Sequence, residues 1–482
     1  MHRLLICFAA LLGLALPCAA RQDPPNILYI IVDDMGYGDL GCFGSEAVHT
    51  PNIDRLATRG MRFTDAYAGC TVCAPTRSTL MTGYHMGHTY MRLNTGGVPI
   101  RDEEVTVAEV LKAAGYRTGG FGKWGLGDLG TPGVPEKQGF DVFFGYYHQI
   151  HAHYFCPEYL IRNSEKVELP GNKGFYDKHP RRNAGPFPRV DPQTGQVRQF
   201  TQDVIFDEMK RFLRASAASG EPFFCYAPWT PPHAEYKLPE DDPAWARYKD
   251  KPWGMQAKVH AAFCTLVDRH VGQTLALLDE LGVADNTIVF FTTDNGASQR
   301  FEGTLDSSGP LRGRKRDMHE GGLRTPLIVA WPGRIKPGTT SALPTYSPDV
   351  MPTLAALAGP EAQAAVPGDI DGVSIVPTLL GAGEQALHDH LYWEWSAWDW
   401  GKQRPVPGGL MQAVRKGKWK AVKMGADQPL LLYDLSVDVG EQNNLADEHP
   451  RVAEQMAELM KRSRTEMLPQ REPDMPKGKR YR

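Results

Sequence analysis

The chain has 482 residues, 42% of them hydrophobic and 23% charged, and a formal net charge of −3. This is ordinary globular composition, enough for one extended α/β domain with a smaller companion, and it excludes general disorder. The slight acidic balance excludes nucleic acid as the main partner, because such domains carry a broad basic excess; any anion site must be local.

In chain order, residues 1–20 read as a signal peptide. His2 and Arg3 form a basic start, Leu4 to Leu16 an apolar run too short for a bilayer, and Cys18-Ala19-Ala20 a cleavage site. The expectation is a mature chain starting near Arg21, exported to the periplasm or secreted, with no transmembrane anchor. The remaining cysteines, Cys42, Cys70, Cys73, Cys156, Cys225 and Cys264, are too scattered for a disulfide framework, and no pair brackets histidines as a zinc site would.

Asn26 to Val32 is a continuous β-branched run stopped by Asp33-Asp34, as for a strand buried on both faces. Similar runs at Phe223 to Ala227, Thr287 to Thr293 and Leu327 to Trp331 alternate with helical patterns at Asn52 to Arg59, Val107 to Ala114, Asp203 to Ala217 and Met255 to Leu281. The fold class expected is α/β, a large mixed, mostly parallel sheet sandwiched by helices over residues 21–375. Residues 131–200, rich in Gly, Pro and Asn, predict long loops decorating one sheet edge.

Beyond about Val376 the texture changes. Short strands are expected at Leu391 to Trp395, Met411 to Arg415, Trp419 to Lys423 and Leu430 to Tyr433, then a helix with Val452, Met456, Leu459 and Met460 on one face. This makes 376–469 a small antiparallel sheet plus helix, and 470–482 a basic tail.

The chemistry concentrates at strand ends, where open α/β sheets bind ligands. Asp33, Asp34, Asp294 and Asn295 offer only oxygen, which suits a hard cation such as Ca²⁺ or Mg²⁺. Cys73-Ala74-Pro75-Thr76-Arg77 places a cysteine at a helix N-terminus, where unpaired N–H groups favour negative charge, with Arg77 one turn on. Arg77, Lys123 and Lys315 would give a cation-loaded site an excess of positive charge that draws in an anion. Taken alone, each of these features also fits a capped helix or a turn.

The string CAPTRSTLMTG from Cys73 to Gly83 resembles the signature of the formylglycine-dependent (type I), arylsulfatase-like sulfatases of the alkaline phosphatase superfamily. The other matches follow in order: Asp33-Asp34, Gly122-Lys123-Trp124, Pro232-His233, Asp294-Asn295-Gly296, Lys315, and Glu320-Gly321-Gly322 with Arg324-Thr325-Pro326. The resemblance implies an alkaline phosphatase-like sheet and a Cys73 that a formylglycine-generating or anaerobic sulfatase-maturing enzyme converts to an aldehyde. It implies one divalent cation, Ca²⁺ by preference, held by Asp33, Asp34, residue 73, Asp294 and Asn295. The hydrated aldehyde would attack sulfur, with Arg77 supporting the diol. Lys123 and Lys315 would hold sulfate oxygens, and His233 with Lys315 would protonate the departing alcohol.

One position departs from that pattern. Many members have histidine where this chain has Gly125, so the base that assists sulfate release is missing; His153 or His151, in YYHQIHAHYF, is the replacement expected from sequence, against the plainer reading of ordinary loop histidines. A phosphonate or phosphate ester hydrolase of the same superfamily and an inactive glycan-binding relative are the competing readings. Three features admit plainer explanations. Trp393, Trp395, Trp398 and Trp400 read as sheet packing ahead of a sugar platform, His319 as structural, and Arg312, Arg314 and Arg316 as either steering or solvated cations.

Overall fold

The computed structural model describes residues 24–470, apart from 96, 97, 181, 182, 234, 400, 401 and 403; the expected signal peptide and most of the basic tail therefore lie outside the described residues, as does Trp400. A ten-stranded sheet runs through the molecule in the order Thr339–Ser341, Met61–Phe63, Leu327–Ala330, Thr287–Thr293, Asn26–Asp33, Phe223–Pro232, Arg117–Lys123, Val142–Tyr146, Tyr159–Arg162, Glu165–Glu168. The central strands from Thr287–Thr293 to Val142–Tyr146 are parallel, and antiparallel pairs appear towards both edges. This is the expected mixed, mostly parallel sheet, covered by helices on both faces.

The alternation along the first strand shows why both faces are covered. Leu28, Ile30 and Val32 enter one core with Ile205, Phe206 and Met209 of the helix Thr201–Ser219 and with the helix Met255–Glu280. Ile27, Tyr29 and Ile31 enter the other, with Leu80, Val110 and Leu354 from the helices Cys73–Thr82, Val107–Ala113 and Val350–Ala358. Side chains two apart share a face, so a strand apolar at every position needs a helical layer on each side.

Residues 131–200 differ from the expectation. They do contain loops, but three strands within them extend the sheet to its edge, the last two joined through Asn163 and Ser164, both with positive φ. A two-residue turn of that geometry closes a hairpin, so polar, turn-rich sequence hides short strands.

The C-terminal part forms the four-stranded antiparallel sheet Leu391–Asp399, Arg404–Lys416, Trp419–Lys423, Leu430–Asp434. One face packs Tyr392, Val414 and Leu432 under Met456, Leu459 and Met460 of the helix Pro450–Arg462. The other lays Trp393 and Trp395 against Tyr67, Val72 and Met86 of the large domain, with Trp393 Nε1 donating to Ala68 O at 2.8 Å, so these two tryptophans pack between domains.

A buried ion cluster ties the two parts together: Lys420 Nζ lies 2.8 Å from Glu320 and 3.0 Å from Glu441, all three solvent-free, and Tyr67 Oη donates to Glu320. Arg312 joins in, donating to Tyr433 Oη and Glu441 O, which gives it a structural role. Replacing Lys420 by Ala would leave two carboxylates buried without their shared cation. The expected cost is about 3–5 kcal/mol, read as a lower urea midpoint with little change in slope.

Candidate functional site

The carboxyl ends of the parallel strands deliver the site. Asp33 ends the first strand, Lys123 ends Arg117–Lys123, His233 follows Phe223–Pro232, and Asp294 follows Thr287–Thr293. Asp34 has φ +68°, a left-handed turn unusual for a residue with a Cβ. Such strain is held by the surrounding contacts and is common at ligand sites.

Cys73 opens a helix whose ten residues are all buried. Thr76 Oγ1 pins the entry by accepting from Cys70 N at 3.0 Å and donating to Cys70 O. Cys70 Sγ turns towards Glu394 O, 3.6 Å away, and all six described cysteines are free thiols, so Cys70-x-x-Cys73 is no disulfide pair.

Around Cys73 the charges interlock. Arg77 gives Nε (3.2 Å) and Nη2 (2.8 Å) to Asp294 Oδ2 and Nη1 to Lys123 O at 2.7 Å. Lys123 Nζ donates to Asp33 Oδ2 at 2.5 Å, and Lys315 Nζ to Asp34 Oδ1 at 2.5 Å, while Lys315 Nζ also lies 3.9 Å from Cys73 Sγ. His233 Nε2 is 3.6 Å from Asp34 Oδ2.

Burial would raise the Asp33 pKa, but Lys123, His233, Lys315 and Arg77 outweigh it and hold this carboxyl well below the usual range. Burial and then the charge of Asp33 push Asp294 up to about 7 against the pull of Arg77. Burial works against the charged forms of Lys123 and Lys315, yet Asp33 beside the first and Asp34 beside the second keep both above the ordinary lysine value. Burial brings His233 down to about 4, with Lys315 and Lys123 adding to it against the pull of Asp33 and Asp34.

These residues fit a divalent cation. Ligand atoms of Asp33, Cys73 and Asp294 lie within 4.8 Å of one another, as do those of Asp33, Asp34 and His233. Asp33 Oδ1 and Asn295 Oδ1 are buried without a hydrogen-bond partner, a costly state that a cation between them would relieve. Three carboxylates and one amide oxygen form a hard donor set.

Every expected site residue except one histidine converges here. The ring of His153 stacks on His233 at 4.4 Å, and both line a cavity of about 670 Å³ with Asp34, Lys315, Gln256, Gln299 and Arg316. His151 instead sits against Tyr146 and Tyr159 in the aromatic interior, where burial lowers its pKa to about 3. Neither histidine fills the place opposite Gly125. A Cβ on Gly125 would meet Gln149 Cβ at 3.7 Å and Arg77 Cδ at 3.8 Å.

Two residues escaped the sequence reading. Asn94 Oδ1 and Gln149 Oε1 lie 3.8 and 3.7 Å from Cys73 Sγ. Uncharged amides carry no sequence signal of their own, although Gln149 stands among the histidines of YYHQIHAHYF. Of the other sites in question, His319 is held by Asp317 at 2.6 Å, and Arg314 is occupied by Ser298 O and Gln299 Oε1; Arg316 reaches the cavity wall.

Fold and site together place a helix-borne cysteine, three carboxylates and three cationic side chains at the carboxyl ends of a parallel sheet, a constellation suited to an anionic ester and a divalent cation. The sequence model of the sulfatase family matches residues 25–360, so the chain belongs to the sulfatases, enzymes that hydrolyse sulfate esters. A second model, described as N-sulphoglucosamine sulphohydrolase, C-terminal, matches residues 314–468. The chain is 33% identical to arylsulfatase A of Homo sapiens, over 90% of this chain and 86% of that protein. It is 32% identical to an N-acetylgalactosamine-6-O-sulfatase of Bacteroides thetaiotaomicron, covering 92% and 94%. The solved structure of Ps i-CgsB in complex with k-i-k-neocarrahexaose superposes with a TM-score of 0.74 at 26% identity, covering 92% of this chain and 93% of that one.

Proposed function

We propose that this sulfatase is an exported enzyme acting on sulfated carbohydrates, with Cys73 converted to formylglycine and a Ca²⁺ ion, or Mg²⁺ in its place, held by Asp33, Asp34, residue 73, Asp294 and Asn295. The observation that carries it is the placing of Cys73 at a buried helix N-terminus, within reach of both the acidic cluster and Lys315. The hydrated formylglycine would supply an oxygen nucleophile, and a cation held by these residues would supply positive charge that favours its ionised form. Conversion needs a formylglycine-generating or anaerobic sulfatase-maturing enzyme as partner.

The chain's own residues do the rest. Lys123 and Lys315 are charged donors whose carboxylate partners would turn to the cation, freeing their ammonium groups for sulfate oxygens. Arg77 locks Asp294 and residue 73 into one frame. His233 and Lys315 stand on the cavity side, where the leaving alcohol must depart, and the stacked ring of His153 holds His233 upright.

A sugar-sized substrate is favoured by the wide cavity, with its amide and arginine walls, by a relative named N-acetylgalactosamine-6-O-sulfatase and by a similar structure solved with k-i-k-neocarrahexaose. Among the described residues no helix is long and apolar enough to cross a membrane. We place the division between catalytic and C-terminal domains near residue 375, ahead of the four-stranded sheet.

Mass spectrometry of the tryptic peptide holding residue 73 tests the nucleophile: loss of the thiol and gain of an aldehyde is expected, and an intact cysteine in active enzyme refutes the mechanism. Parallel assays on sulfated monosaccharides, phosphate monoesters and phosphonate esters test the substrate class, the sulfated sugars being the ones turned over fastest. His233→Ala should slow alkyl sulfates by about 10²–10⁴-fold while sparing aryl sulfates, whose phenolate leaves without a proton. Equal losses on both would remove His233 from the leaving-group side.

A further inference from the structure

We propose that Gln149 takes the place of the histidine absent at position 125, its side-chain oxygen accepting a hydrogen bond from the hydroxyl of residue 73 that faces away from the cation. This rests on the formylglycine reading above. Backbone bonds bring the two segments together: Trp124 N donates to Tyr146 O at 2.8 Å and Gly125 N to Tyr147 O at 2.9 Å, so the chain runs alongside residues 146–147 and delivers Gln149 opposite Gly125. Gly125 has φ +81°, and its missing side chain would point at Gln149 Cβ.

The carboxamide is oriented by its other end. Gln149 Nε2 donates to Asn94 O at 3.3 Å, which turns Oε1 towards residue 73 at 3.7 Å. Asn94 Oδ1 also approaches the sulfur, but it accepts Ala74 N–H at 3.3 Å and so is already engaged with the helix N-terminus. Two acceptor oxygens thus converge on one thiol, which has a single hydrogen to give. A hydrated aldehyde would offer Gln149 Oε1 a hydroxyl hydrogen, a stronger donor than the thiol. Gln149 is itself buried, so an acceptor left unused there would be costly.

Holding the hydroxyl favours the hydrate over the free aldehyde, and a glutamine, unlike histidine, holds it without titrating. The test uses matured full-length enzyme and reads the rate of oxime formation with methoxyamine at residue 73, alongside kcat and KM. In Gln149→Leu the free aldehyde fraction, and with it the oxime rate, should rise roughly three- to tenfold, the worth of one hydrogen bond. The kcat should fall by a similar factor with KM little changed. An unchanged oxime rate in Gln149→Leu overturns the proposal, as does an effect confined to KM with kcat unmoved. A wild type inert to methoxyamine even when denatured would instead overturn the formylglycine reading, and this inference with it.

Discussion

Cys73→Ala is expected to leave a folded protein whose turnover of sulfate esters falls by about 10⁴-fold or more, since residues that act as one catalytic unit lose most of their effect when any member goes. The sulfur contributes little to the fold: its contacts are the long approaches of Asn94, Gln149 and Lys315 at 3.7–3.9 Å. Lys123, Lys315 and Arg77 would still bind sulfate, so KM should move far less than kcat. Cys70→Ala is the matching control. It removes an equally buried thiol three positions away that faces Glu394 O, and should cost stability without comparable loss of turnover. Steady-state kinetics with melting temperatures on both variants would decide. A Cys73→Ala enzyme within tenfold of wild type would end the assignment of residue 73 as nucleophile.

Removal of the divalent cation should be the second large effect. Asp33, Asp34 and Asp294 are buried side by side, with Lys123 paired to Asp33 and Lys315 to Asp34, so the cation would supply charge that this crowded set of carboxylates needs. Chelation should therefore abolish turnover and lower the melting temperature, and Ca²⁺ at 100 times its Kd should restore about 2.7 kcal/mol. The increment should depend on pH with a definite sign. Asp294, when no cation is bound, keeps its proton up to about 7, so the cation must displace that proton, and its stabilisation shrinks as pH falls below about 7. Asp33→Asn should remove most of the increment. A melting temperature unmoved by Ca²⁺ across pH 5 to 8 would contradict the proposed site.

Much of this was legible in the chain because it is written locally. The apolar run before Asp33-Asp34 marks a doubly covered strand, and Pro75 two residues after Cys73 marks a helix start; neither needs knowledge of the rest of the molecule. Alternation of Trp393 and Trp395 marks one face of a strand, and that face proved to be an interdomain seam. The strands within 131–200 were missed because their pairing energy lies across the sheet, while their own composition is that of loops.

Sequence by itself determined the metal-type carboxylates, the helix-borne cysteine, the three cations and the missing histidine at 125, since each is a statement of residue type and spacing. Only the tertiary structure showed that neither His151 nor His153, two positions apart on one short turn, lies opposite Gly125: the first is buried against tyrosines, the second stacks on His233 at the cavity. It also brought Gln149 to Cys73 through the backbone pairing of residues 124–125 with 146–147. Which side chain fills an empty place depends on distances between segments remote in sequence, and those are set by packing.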